Sequence, residues 1–358
     1  MFGQLLTITR NTFTESIRQP IFAVLILVGI LGLWLNLNLA AYTMDQDSKM
    51  MIDMGLSTVA IISLLAAAFT ATGVLSSEIE KKTVLTVVSK PISRPTFVVG
   101  KFLGVAGAIL LAYYILSLVF LLTARHGVMQ TASHRIDWPV VVFGLGGAFI
   151  AIAFAAFTNY NFRWVFTSTV TWALAITETI AFLLILFIGK KWAIQTPYHD
   201  LFSLDPKAPQ LMQVITGTGL ISFAILIITA IAVAASTRLG QVMTILLSFG
   251  FFALGLISNS LNQLTNQRLE ISPHIGFFES FSHIFAADAP FYTKLIYAAA
   301  KSIYLITPNM QLLWPGDALL QDKPFTLIAF MTPAIYGILF TAAILAIAVA
   351  LFQKREVG

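Results

Sequence analysis

The hydrophobic residues of this chain fall in blocks of about twenty, the length that carries an α-helix across about 30 Å of hydrocarbon. Lipid offers no partner to an open backbone N–H or C=O, so such blocks must be helical. A transmembrane β-barrel would instead show short segments of alternating polarity. Of the 358 residues, 58% are hydrophobic and 10% charged. A water-facing domain carries about a quarter charged residues, so the chain reads as an all-α integral membrane protein. The blocks place eight spans at about Ile21–Ala41, Leu56–Ser76, Phe97–Thr123, Pro139–Phe157, Val165–Ile188, Leu211–Ala235, Gln241–Leu261 and Thr326–Phe352. No internal repeat and no water-soluble second domain is visible, so residues 1–358 read as one membrane domain.

Residues 1–19 carry Arg10, Glu15 and Arg18 ahead of a block long enough to span, unlike a cleavable signal peptide. Phe2, Leu5, Leu6, Ile8, Phe13 and Ile17 recur at mostly helical spacing. They predict an amphipathic helix on the membrane face, ended by Pro20. The segment 262–325 mixes polar, aromatic and apolar residues. Its apolar piece Leu295–Ile306 is too short to span and is broken by Pro308, and it predicts an interfacial or re-entrant helix.

With the N-terminus in the cytoplasm, the cytoplasmic side receives eleven of the 21 Lys and Arg but only four of the 16 Asp and Glu. The positive-inside rule discounts the long outer segment, and the balance then favours both termini in the cytoplasm.

Several chemistries find no support. The absence of cysteine excludes disulfides, thiolate metal sites and a cysteine nucleophile. No two of His126, His134, His199, His274 and His283 have the spacing of a zinc helix, so no metal site is predicted. No G-x-S-x-G is present and no catalytic residue is assigned. Glu178, within Thr177-Glu178-Thr179, is the one ionisable residue in mid-span. It is either a substrate or proton site, or a carboxyl held neutral or hydroxyl-bonded in helix packing. Gly100 and Gly104 form a G-x-x-x-G with Gly107 one turn on, which reads as close helix packing.

The stretch Ser77–Lys101 is too polar for lipid and too short for a domain. Its acids precede its bases, which suits the dipole of a short helix beginning near Ser77, and Pro91 and Pro95 turn the chain back. By itself it reads as a solvated cytoplasmic loop. Its residues Ser77-Glu78-Ile79-Glu80-Lys81-Lys82-Thr83-Val84-Leu85, Ser89-Lys90-Pro91-Ile92-Ser93-Arg94 and Gly100-Lys101 nevertheless resemble the loop after the second span of type-2 ABC exporter permeases. Arg10-Asn11-Thr12-Phe13 with Glu15, Arg18 and Pro20, Ser236-Thr237-Arg238-Leu239, and Leu351-Phe352-Gln353-Lys354-Arg355-Glu356 are similar to other anchors of that family.

The resemblance implies a six-span permease core. Pro139–Ile188 is then an added hairpin that preserves the orientation of the later spans. It also implies that residues 77–96 form a coupling element for a separate ATPase. Glu78, Glu80, Lys81, Lys82, Thr83, Pro91 and Arg94 would make the contacts, with Arg10, Arg18 and Arg238 as secondary cytoplasmic contacts. The chain lacks G-x-x-x-x-G-K-[ST], so ATP and its Mg²⁺ are expected in the partner and no cofactor in this chain. The implied partners are ABC ATPase subunits, a second permease copy or homologue, and the lipid bilayer, with no nucleic acid. The implied location is the bacterial inner membrane. Two other functions fit the residues alone: an ion-coupled carrier using Glu178, and a membrane scaffold working through residues 262–325.

Overall fold

The computed structural model describes residues 2–40, 47–80, 93–128, 136–202, 211–268, 277–286, 290–316, 319 and 326–353. Eight helices among the described residues are long and apolar enough to cross a membrane. The chain opens with α1 (Phe2–Arg18), α2 (Pro20–Ala40), α3 (Asp47–Glu80) and α4 (Arg94–His126). A hairpin comes next, made of α5 (Trp138–Phe162) and α6 (Phe166–Phe187), then the short α7 (Pro197–Leu201). The rest comprises α8 (Leu211–Ser236), α9 (Gln241–Arg268), α10 (Phe277–Ala286), α11 (Phe291–Ile306) and α12 (Leu327–Gln353).

α8 is apolar around its whole circumference, the pattern of a helix buried on all sides. It packs against α3, α4, α9 and α12. α4 is the other largely buried span, and the Tyr113 hydroxyl of α4 donates to the Thr218 carbonyl of α8 at 2.5 Å. α9, α12 and the α5–α6 hairpin lie outside this pair and turn apolar side chains outward, as a lipid-facing surface requires. Asn36 of α2 is buried, and its amide donates to Thr58 Oγ1 of α3 at 2.9 Å.

The Gly100, Gly104 and Gly107 stripe is indeed packing, but its partner is α1 rather than another span. A methyl group at Gly104 would lie 2.5 Å from Thr12 Cβ and 2.7 Å from the Thr9 carbonyl oxygen. One at Gly100 would lie 2.8 Å from Ile8 Cγ2. The amphipathic helix therefore rests its inner face on α4, with Thr12, Ser16 and Ile17 buried. It is not a helix lying on lipid alone.

Two other expectations change. Ser77–Glu80 do not begin a separate helix. They continue α3, because no Gly or Pro stands between Gly73 and Pro91 to break it. The apolar piece of the outer segment starts at Phe291 rather than Leu295, directly after Pro290. Beyond α11 the chain does enter the bundle. Pro308 and Met310 press on Gly255 of α9, where a methyl group would lie 2.6 Å from the Pro308 carbonyl oxygen. The 3₁₀ turn Met310–Leu313 is buried at Met310 and Leu313, and the Tyr336 hydroxyl accepts from the Asn309 N–H at 2.7 Å. Irregular backbone at this depth is tolerated because protein, not lipid, surrounds it.

The hairpin is fixed to the bundle at both of its ends. On the side of α1, the Thr167 hydroxyl donates to the Arg18 carbonyl at 3.0 Å. On the other side, Arg125 at the end of α4 is nearly buried. Its Nε lies 2.8 Å from Asp200 Oδ2, its Nη1 lies 3.8 Å from Asp137 Oδ2, and its Nη2 donates to the Ile188 carbonyl at 2.8 Å. Asp137 also caps the start of α5 through the Val140 N–H.

Two outcomes are expected for purified protein in detergent. Gly104→Leu forces α1 off α4, at a cost on the order of 1–3 kcal/mol for overpacking, and lowers the thermal midpoint. Gly250→Leu, where no atom lies within 4 Å of a Cβ, leaves it unchanged. Arg125→Met strands two carboxylates, at a cost of about 3–5 kcal/mol. Arg125→Met/Asp137→Asn/Asp200→Asn recovers part of that loss in the same melting experiment.

Candidate coupling face

The side of the bundle that carries α1 gathers chain-distant residues. α1 is bound to α4 by charge as well as by shape. Lys101 is buried, with Nζ 3.9 Å from Glu15 Oε2 and 5.8 Å from the centroid of the Phe97 ring. Ion pairing and the ring face stabilise an ammonium that the apolar seam would otherwise reject. The outer face of α1 is polar and exposed. Arg10, Asn11, Thr14, Glu15 and Arg18 line an open groove with Gln19 and Pro20.

Beside it, Ser93 caps the start of α4, accepting from the Thr96 N–H at 3.4 Å. The next residue, Arg94, donates from Nη1 to the Gln353 carbonyl. Arg238, in the turn between α8 and α9, donates from Nε and Nη2 to the Leu351 carbonyl at 3.0 and 2.6 Å. Phe97 and Phe352 stack with centroids 5.5 Å apart. Carbonyls in the last turn of a helix lack intrahelical donors and carry the negative end of its dipole, so guanidinium groups bind them well. Arg94, Arg238 and the end of α12 thus form one cross-braced floor.

The residues expected to meet an ATPase fall into four groups. Arg94 and Arg238 meet at α12, while Arg10 and Arg18 lie on the polar groove. Glu78 and Glu80 are in the last described turn of α3. Lys81, Lys82, Thr83 and Pro91 lie outside the described residues. Glu15 and Lys101 were readable as charges, but not as partners of each other.

Glu178 is elsewhere. It is buried in α6, its carboxyl oxygens have no hydrogen-bond partner among the described residues, and Gly147 of α5 faces it closely. The neighbouring Thr179 hydroxyl meets Tyr114 Oη of α4 at 2.8 Å. This places Glu178 in the peripheral hairpin rather than in the central α4–α8 pair.

On the opposite side of the bundle is a site that the sequence alone did not single out. Lys301 of α11 is buried against α9, and its Nζ donates to Asn262 Oδ1 at 2.9 Å and Asn266 Oδ1 at 3.3 Å. Burial pushes this ammonium below the usual lysine range. The available signal was the spacing of Asn259, Asn262 and Asn266 along one face of α9. Among the described residues no group of three His, Asp or Glu is placed to hold a metal ion.

No curated protein and no solved structure matches the chain. Residues 6–159, which include most of α1, its seat on α4, and the stretch that joins α3 to α4, match the family described as ABC-2 family transporter protein. Over those residues the chain is similar to the ABC-2 type transporter permeases.

Proposed function

We propose that the chain is the transmembrane subunit of an ATP-driven exporter. It pairs with a second copy or a homologue to form the translocation path. A separate ABC ATPase, which holds ATP and Mg²⁺, docks on the side of α1, Arg94 and Arg238. That side faces the cytoplasm of a bacterial inner membrane. The observation that carries this reading is the cross-braced floor. Arg94 at the return of the 77–96 stretch and Arg238 in the α8–α9 turn on the same side both bind the end of α12, so a partner pressing on one moves all three. The eight-helix bundle and the family match over residues 6–159 support the membrane role.

The test is co-purification in mild detergent with ATP trapped. Wild type retains a nucleotide-binding ATPase. Glu78→Ala/Glu80→Ala/Lys82→Ala loses it while keeping the wild-type melting profile. Absence of any ATPase from the wild-type preparation overturns the reading. Arg238→Ala frees the Leu351 carbonyl and uncouples the floor, so ATP turnover by the complex falls with little change in ATPase retention.

Glu178 separates this reading from an ion-coupled carrier. Its place in the hairpin makes it a packing residue here, and Glu178→Gln retains ATP-dependent transport in proteoliposomes. Uptake driven by an ion gradient without ATP, and abolished by Glu178→Gln, would instead establish the carrier.

A further inference from the structure

We propose that Lys301, Asn262 and Asn266 bind the phosphate group of a phospholipid in the leaflet opposite the α1 side. An ammonium has three donors. Two go to the amide oxygens of Asn262 and Asn266, and the third has no partner among the described residues. Lys301 is 9% exposed, and no carboxylate among the described residues pairs with it. A buried cation held only by neutral oxygens lacks its counter-charge, which is costly unless an anion supplies it. The two asparagines turn their oxygens to Lys301 and so present their NH₂ groups as further donors. The cluster offers donors and a positive charge to one anion.

Depth identifies the anion. Asn262 and Asn266 lie about 32 and 38 Å along α9 from Gln241, at 1.5 Å per residue. The hydrocarbon core is about 30 Å thick. With Gln241 at the near edge of the hydrocarbon, the cluster falls at the level of the far phosphate layer. The opposite face of α11 exposes Phe291, Tyr292, Leu295 and Ile296, which is the apolar side of an interfacial helix. A two-chain lipid fits this arrangement, with its phosphate against Lys301 and its acyl chains beside α11. A soluble phosphate would use only the polar half.

The experiment is native mass spectrometry of the full chain in neutral detergent, titrated with phosphatidylglycerol, diacylglycerol or inorganic phosphate. Wild type binds phosphatidylglycerol in preference to diacylglycerol. Lys301→Met weakens phosphatidylglycerol binding about tenfold, the loss of one charge-assisted hydrogen bond, and Lys301→Arg retains it. Acetylation mapped by peptide mass spectrometry gives a readout on wild-type protein alone. Phosphatidylglycerol protects Lys301 and leaves the exposed Lys191 reactive. Equal binding of phosphatidylglycerol and diacylglycerol, or undiminished phosphatidylglycerol binding by Lys301→Met, overturns the site. Protection of Lys301 by inorganic phosphate as strong as by phosphatidylglycerol overturns the assignment to lipid.

Discussion

A helix that ends at a membrane surface leaves its last carbonyls without donors, and in this protein two arginines from distant parts of the chain fill that need. Arg94 and Arg238 bind carbonyls of the last turn of α12, and Phe97 stacks on Phe352 beside them. The start of α4, the α8–α9 turn and the end of α12 therefore have one shared set of positions. α1 joins this floor through Gly104 and the Glu15–Lys101 pair. Exposed ion pairs contribute little alone, about 0–1 kcal/mol. Charge-assisted bonds to helix-end carbonyls are better placed, because the acceptors have no competing helical donor.

The spans were legible because lipid demands long apolar blocks, and the eight blocks correspond one to one with eight helices. The glycine stripe on α4 was legible as close packing, but not as the seat of α1, since spacing identifies a face and not what covers it. Ser77–Glu80 were misread as a new helix because their charges suggested a helix start. The backbone continues regardless, there being no residue to stop it. Arg94 and Arg238 were legible as cations outside the spans, yet their acceptors are backbone carbonyls, which have no sequence signature. Lys301 was missed for a related reason. Its asparagines are 39 and 35 positions away, and a contact of that range depends on how α11 folds back onto α9.

The α5–α6 hairpin is more than a peripheral pair of spans. Thr167 ties it to the end of α1, and the Arg125 cluster ties its far end to the end of α4. Glu178 sits between these ties, at the close approach of α6 to Gly147. The hairpin is thus joined to the bundle at both membrane surfaces, while its middle meets lipid on one side.

α4 runs unbroken from Arg94 to His126, and its middle is pinned where Tyr113 meets Thr218. Treated as a rigid rod turning about that contact, it would act as a lever. The arm from Arg94 to Tyr113 is about 28 Å and the arm from Tyr113 to Arg125 about 18 Å at 1.5 Å per residue. A rigid swing at the Arg94 end reaches the Arg125 end reversed in sense and reduced by about a third in amplitude, by the ratio of those lengths. A displacement applied at the Arg94 surface would therefore be geared down before it reached the ion cluster on the other.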